Sequence, residues 1–372
     1  MKYFLLASDY PPMKGGIATV LRDFPEVFAT KDLKILAAGP RQPEDEANMV
    51  RLPAMRGSRG LAHLPAFLKW LGESLKSVPA TGEKMIILGA LSPLGVLGPL
   101  LKAMKGADYV MIAYGSEIPD EQTGPLRKKI AGTILEQSRA VLCISKYTEN
   151  RVKKIAPRAK TYRIDLGVDS EYFRPRPKNP AVLKRFDLQN KIVLLAIGRL
   201  VPRKGFDTAI SAFSAIAAHK KETVLLIAGD GPDKSRLMGM AESNPEIKGR
   251  VIFCGEIEDS ERIDFYNAAD IVLFLTREVR GDVEGFGLVA LEAGACEKPV
   301  IAGDNGGVSE AVLAGETGVM VDSMDPDKLA EEMTLLIENP DLRERLGKNA
   351  RRYAEQRNFS KFSASVLKAL EL

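Results

Sequence analysis

Histidine is nearly missing from this sequence: His63 and His219 are the only two in 372 residues, which excludes a histidine-built metal centre. Cysteine is scarce too. Cys143, Cys254 and Cys296 stand far apart with no paired spacing, so neither a disulfide framework nor a thiolate metal site is expected, and unpaired cysteines suit a reducing cytoplasm. Long apolar runs are also lacking. None approaches the ~18 residues of a membrane-spanning helix, and the longest, Leu94 to Met104, contains Pro99 and Lys102. The apolar stretch before Asp9 is too short for a secretory signal and reads as a first strand. With a net charge of only +4 and no interleaving of aromatic and basic residues, nucleic acid is not an expected partner.

What is present is a globular balance, 45% hydrophobic and 27% charged, in a chain too long for one ordinary core. Apolar strand-like runs alternate with amphipathic helical ones throughout, the pattern of doubly wound α/β domains. In the first half the strands fall at Tyr3–Ala7, Lys34–Ala38, Met85–Leu88, Tyr109–Ala113 and Val141–Ile144. Between the first strand and a helix from about Thr19 to Phe28 lies a loop ending in Gly15-Gly16, a pair able to present backbone amides to a phosphate.

A helix over Leu61–Leu71 carries an apolar stripe, Trp70 included, flanked by Arg56, Arg59, Lys69 and Lys76. The segment from Arg127 to Arg163 has Glu136 and Glu149 as its only acids. Such a basic face reads either as an ordinary packed helix with solvated lysines or as a surface that lies on an anionic membrane.

The first domain ends near Arg163–Asp169, and the proline-spaced Phe173–Pro180 reads as a connector that is neither helix nor central strand. A second α/β domain then opens with a strand at Ile192–Ala196 and the loop Gly198–Gly205. Arg199 and Lys204 there follow a strand end and precede a helix from about Asp207 to Ala218. Ligands of open α/β sheets bind at the carboxyl ends of the strands, so two cations in this place could neutralise a diphosphate. Strands at Val224–Ala228 and Val251–Cys254 end in glycine turns, Gly229-Asp230-Gly231-Pro232 and Gly255-Glu256-Ile257, which should emerge on the same edge and leave room for a nucleotide base. A strand at Pro299–Ala302 should lead through Asn305-Gly306-Gly307 into a helix.

The stretch around which the chain is organised is Gly281 to Ala295. It follows the strand Ile271–Leu275 as an acidic, glycine-bearing loop that opens onto a helix. Gly285 and Gly287 allow close backbone approach, and the first amides of the helix suit hydroxyl or phosphate oxygens. Glu284 stands at the mouth of this loop and Glu292 inside the helix, so two carboxylates could hold two sets of sugar hydroxyls; two glutamates on one helix also read as a solvated face. Gly285 to Ala290 fits the dinucleotide pattern G-x-G-x-x-A, yet that fingerprint should leave its strand directly, and Arg277 to Asp282 intervene.

Together these motifs resemble the retaining glycosyltransferases of family GT4. The resemblance spans the whole chain: Gly15-Gly16, Ser145 in Cys143–Lys146, Gly167-Val168-Asp169 with Phe173 and Pro175, Gly198-Arg199-Leu200 with Lys204-Gly205, Gly229–Pro232, and Glu284 to Glu292 as the family's E-x7-E. It implies the GT-B architecture, two Rossmann-like domains facing across a cleft: an acceptor domain over 1–168, a nucleotide-sugar domain over 169–357, and a final helix within 358–372 that crosses back. It implies that Arg199, Lys204 and the Gly16 amide hold the donor's phosphates. Glu284 with the amides of Phe286 and Gly287 would bind the transferred sugar, and Glu292 the ribose. Gly198, Gly229, Gly231, Ile257, Gly285 and Leu288 would complete the donor site.

The motifs are most similar to bacterial phosphatidylinositol mannosyltransferases. The expected reaction therefore moves a hexose, with retention, from GDP-mannose or a UDP-sugar to a lipid-linked or glycan acceptor, without a metal or other cofactor, in the cytoplasm or at the inner membrane face. Two departures stand out. Tyr114 in Ala113–Glu117 occupies the place of a family histidine near the anomeric carbon, and Glu297 stands where a glycine is common. The rival reading is a GT-B epimerase or a non-catalytic nucleotide-sugar-binding protein.

Overall fold

The computed structural model describes residues 1–28, 32–43, 45–55 and 63–370. Arg56, Arg59, Leu61 and Ala62, expected in or beside the basic helix, lie outside the described residues. The chain divides into two compact units, Met1–Leu166 with Phe359–Leu372, and Gly167–Asn358.

The first unit is built on β1 (Lys2–Ala7), β2 (Leu33–Ala38), β3 (Met49–Leu52), β4 (Lys84–Leu88), β5 (Asp108–Ala113), β6 (Ala140–Cys143) and β7 (Thr161–Arg163). Its helices are α1 (Gly16–Val27), α2 (Leu64–Ser77), α3 (Leu97–Lys105), α4 (Pro125–Gln137) and α5 (Lys146–Ile155). The strands pair in parallel in the order β3-β2-β1-β4-β5-β6-β7. Central strands of such a sheet are covered on both faces, which is why β1, β4 and β5 are nearly unbroken apolar runs. The half-exposed edge strands β3 and β7 carry no such run and are not expected from the sequence. Trp70 on α2 is fully buried, its Nε1 donating to the Pro53 carbonyl at 2.9 Å, so this ring is a core residue and not a membrane anchor.

The second unit holds β8 (Ile192–Ile197), β9 (Thr223–Ala228), β10 (Val251–Gly255), β11 (Ile271–Phe274), β12 (Val300–Gly303) and β13 (Gly318–Val321), parallel in the order β10-β9-β8-β11-β12-β13. Around them lie α6 (Pro180–Arg185), α7 (Phe206–Ala217), α8 (Lys234–Glu242), α9 (Arg262–Ala268), α10 (Leu288–Ala295), α11 (Pro326–Glu338) and α12 (Pro340–Glu355). A last helix, α13 (Phe359–Leu370), packs in the first unit. Phe362 meets Phe24 of α1 edge-on at 5.5 Å, and Ser365 accepts from the Asp165 amide.

Three local expectations are corrected. Helix α1 starts at Gly16, not Thr19, which makes the Gly16 amide a free donor type at the first helical position. The connector is not wholly irregular: Pro180 opens α6 because Asn179 Oδ1 caps the Ala181 amide and proline suits a first helical position. No α-helix follows Asn305-Gly306-Gly307. Gly306 is left-handed, the Gly307 amide is bonded to the Glu284 carbonyl, and a single 3-10 turn, Val308–Glu310, follows.

Candidate active site

In the second unit the chain runs outward from β8 through β9 to β10, then returns to the other side of β8 as β11 and continues to β13. The loops that leave the carboxyl ends of β8 and β11 therefore part at the switch point of the sheet, where open α/β folds bind ligands. Both loops carry charge. After β8 the backbone makes the 3-10 turn Pro202–Lys204 and passes through Gly205 into α7. Gly205 has φ 65°, and a Cβ there would stand 2.1 Å from the Leu275 carbonyl oxygen just past β11. A second tie lies beside it, the Arg277 amide donating to the Arg203 carbonyl at 2.8 Å.

This close approach delivers two cations to Glu284, some eighty residues further along the chain. Lys204 Nζ lies 2.6 Å and Arg203 Nη1 2.7 Å from the same oxygen, Glu284 Oε2. Arg203 Nε also faces Asp282 Oδ2 at 3.2 Å, and Lys204 Nζ sits 5.0 Å from the centre of the Phe274 ring. The Glu284 side chain is only 18% exposed, so water screens the cluster weakly. Burial alone would raise its carboxyl pKa, but Lys204 and Arg203 outweigh that and hold it at about 2. Burial pulls the Lys204 pKa down, and Glu284 only partly offsets this.

Arg199, the other cation expected here, is exposed, and its guanidinium makes no ion pair among the described residues. On Glu284 the cation beside Lys204 is Arg203, which the sequence reading did not single out. The sequence signal for Arg203 was its adjacency to Lys204, but side chains one residue apart rarely converge without a tight turn.

Beyond Glu284, Gly285 leads to Phe286, whose ring is buried, and to Gly287 at φ 120°. Among the described residues the amides of Phe286 and Gly287 donate to no carbonyl, as a ligand-facing turn requires. Leu288 opens α10. Glu292 on this helix is 3% exposed, which rules out the solvated-face reading. Its Oε2 accepts from Tyr266 Oη at 2.6 Å and from Arg262 Nη2, both on α9. Burial raises the Glu292 pKa, and Arg262 and Tyr266 only partly draw it back. Phe173 packs edge-on to Tyr266 and lies under the Arg262 guanidinium, which gives that motif residue a physical task.

Helix α10 ends in a Schellman turn, with Glu297 N–H bonded to Gly294 O and Lys298 N–H to Ala293 O. Glu297 is the left-handed residue of that turn, φ 58°, and this is the physical reason a glycine suits the position.

Because every strand is parallel, the loops after β8, β9 and β10 share one edge. Gly198 and Gly229, both at positive φ, lie there with Gly231 and the buried Ile257. Gly229 can be nothing larger, since its Cβ would fall 1.9 Å from the Gly198 carbonyl.

In the first unit, Gly15 and Gly16 are exposed at the start of α1. The loop before them is braced by buried Arg51, which donates to the Pro11 carbonyl at 2.6 Å and pairs with Asp45. Tyr114, after β5, is 5% exposed, and among the described residues its hydroxyl has no partner; Glu117 Oε1 accepts the Tyr114 amide while its Oε2 has none there. Orphaned buried polar atoms cost about 1–3 kcal/mol each, a cost that a water or ligand hydrogen-bonded to either group would relieve.

Residues 182–353 match the family described as "Glycosyl transferases group 1". Across nearly the whole chain, the GDP-mannose-dependent alpha-(1-6)-phosphatidylinositol monomannoside mannosyltransferase of Mycolicibacterium smegmatis is 30% identical, with 94% of this chain and 93% of the relative covered. The chain belongs to the group 1 glycosyl transferases. The GDP-mannose-dependent monoacylated alpha-(1-6)-phosphatidylinositol monomannoside mannosyltransferase of Corynebacterium glutamicum is also 30% identical, over 95% of this chain and 93% of its own. Among solved structures, sucrose-phosphate synthase from Thermosynechococcus elongatus superposes with a TM-score of 0.81 at 22% identity, covering 100% and 98% of the two chains. Anabaena HepE in complex with UDP does so with 0.81 at 19%, covering 100% of each. The fold of this glycosyltransferase is thus GT-B, and no described helix is long and apolar enough to cross a membrane.

Proposed function

We propose that this glycosyltransferase moves a mannosyl group, with retention, from GDP-mannose to a lipid-linked acceptor of the phosphatidylinositol type. The observation that carries the reading is the full-length likeness to enzymes named for that donor and acceptor, combined with the charged cluster at the switch point. Lys204 and Arg199 take the diphosphate, and the Gly15-Gly16 turn offers a further amide to phosphate. Glu284 and the amides of Phe286 and Gly287 take the sugar hydroxyls. Glu292, held by Arg262 and Tyr266, takes the ribose, while Gly198, Gly229, Gly231, Gly285, Ile257 and Leu288 line the nucleotide.

The bond that breaks joins the anomeric carbon to the diphosphate, so negative charge grows on the leaving phosphate. Fixed cations and amides stabilise it most where water is sparse. The acceptor hydroxyl attacks from the same face, and its proton passes to the departing phosphate. The chemistry asks for no metal, and in this reading the Tyr114 hydroxyl donates to the sugar.

A peripheral position at the inner membrane face fits the reading. Leu100 and Met104 on α3 and Leu126 and Ile130 on α4 are 38–69% exposed, and the same two helices expose Lys102, Arg127 and Lys129. Failure to sediment with anionic vesicles at low salt would remove this element.

The test of the reaction is donor turnover. Purified protein should release GDP from GDP-mannose only when phosphatidylinositol-type acceptor is supplied, and Lys204→Ala should lose at least 100-fold in kcat/KM at unchanged soluble yield. Turnover of UDP-sugars in preference, or equal losses of yield and rate, would overturn the proposal.

A further inference from the structure

The two cations on Glu284 are not equivalent. Lys204 reaches it by one contact at the end of a flexible stem. Arg203 is held at both ends: Nη1 hydrogen-bonds Glu284 at 2.7 Å, its own carbonyl is tied to the Arg277 amide at 2.8 Å, and Asp282 lies 3.2 Å from Nε as a second counter-charge without hydrogen-bond alignment. Arg277 is itself locked by two bonds to Asp207, at 2.9 and 2.8 Å. The guanidinium is 19% exposed and has a planar fork that keeps one orientation, whereas an ammonium is a rotating point charge.

A donor diphosphate competes for Lys204 directly, because phosphate and the Glu284 carboxylate are both anions seeking the same ammonium. When Lys204 turns to the phosphate, a largely buried carboxylate loses one of its two counter-charges. Unless something else holds it, it must take up a proton or swing away. Arg203 is in position to prevent both.

We infer that Arg203 is a positioning residue: it keeps the Glu284 carboxylate charged and aimed at the transferred sugar while Lys204 engages the donor's diphosphate. The inference rests on the proposed roles of Lys204 and Glu284. It assigns Arg203 to the sugar half of the donor, through Glu284, and not to the nucleotide half.

The two halves separate in a binding experiment. Calorimetric titration of wild type, Arg203→Gln, Arg203→Lys and Lys204→Ala with GDP and with GDP-mannose gives the readout. Arg203→Gln should weaken GDP-mannose at least tenfold while GDP stays within about twofold of wild type, since GDP has no sugar for Glu284 to hold. Arg203→Lys, which restores the charge without the fork, should recover part of the GDP-mannose loss, and it supplies the same comparison should Arg203→Gln not fold. A merely structural arginine would weaken both ligands together. Equal loss for GDP and GDP-mannose in the folded variants would make Arg203 either a phosphate ligand or a merely structural residue and overturn the inference, as would no loss for either. GDP binding that survives Lys204→Ala unchanged would instead overturn the underlying assignment of the site.

Discussion

One added methyl group at Gly205 tests whether the β8 and β11 loops meet as described. In Gly205→Ala the new Cβ would stand 2.1 Å from the Leu275 carbonyl oxygen and 2.9 Å from Leu275 Cβ, against ordinary contacts beginning near 3.4 Å. The strand end cannot retreat, because β11 is paired on both sides, so the turn holding Arg203 and Lys204 must move by more than about an ångström. Left-handed backbone costs an alanine about 1–2 kcal/mol, and forced overpacking adds about 1–3 kcal/mol. The total, about 2–5 kcal/mol, corresponds to a melting point lower by about 10 °C for a unit of this size. Gly249→Ala is the control: φ is 76° but nothing lies within 4 Å, so only the backbone term of about 1–2 kcal/mol applies. Urea unfolding of both variants, with GDP-mannose titrated into each, gives the comparison. If Gly205→Ala unfolds within about 0.5 kcal/mol of Gly249→Ala and binds donor normally, the close approach is wrong, and so is the reason Arg203 and Lys204 converge on Glu284.

Other consequences follow from the same geometry. The Glu284 carboxyl titrates at about 2 when folded, below its ordinary 4.5, so its contribution is present above about pH 4.5 and is lost as pH falls toward 2; urea midpoints of wild type and Glu284→Gln should converge on acidification, and a constant gap would refute the pairing. Glu292→Leu leaves the half-buried Arg262 guanidinium with only Asp259, 3.9 Å away, as a counter-charge and should cost more in chemical denaturation than Glu292→Gln, about 1–3 kcal/mol, which keeps a partner for Tyr266. Glu297→Gly relieves a left-handed glutamate and should stabilise by about 0.5–1 kcal/mol despite the greater chain entropy of glycine; a loss of stability there would mean the helix end is not the Schellman turn described.

The interior strands were legible because a parallel sheet buries them on both faces, and an unbroken apolar run such as Ile271–Phe274 has few other uses. Edge strands β3, β7 and β13 escaped, being short and half exposed. The glycine-and-acid stretch ending in α10 was legible for a different reason: glycine at a strand end and carboxylates at fixed spacing are local features that need no partner to be noticed. What those carboxylates touch was not. Glu292 read equally well as a solvated residue until Arg262 and Tyr266 closed over it.

Sequence alone determined that there would be two parallel α/β domains with their loops gathered at the carboxyl edges, because strand period, helix period and right-handed crossovers leave little other choice. It also fixed which loops carry charge and glycine. Only the tertiary structure decided which charges meet. Arg199 and Arg203 flank one short loop and look interchangeable on the page, but a 3-10 turn and one glycine pressed against the Leu275 carbonyl turn Arg203 inward and leave Arg199 in solvent. An ion pair is set by ångström distances between residues eighty positions apart, and only the packing of β8 against β11 supplies those distances.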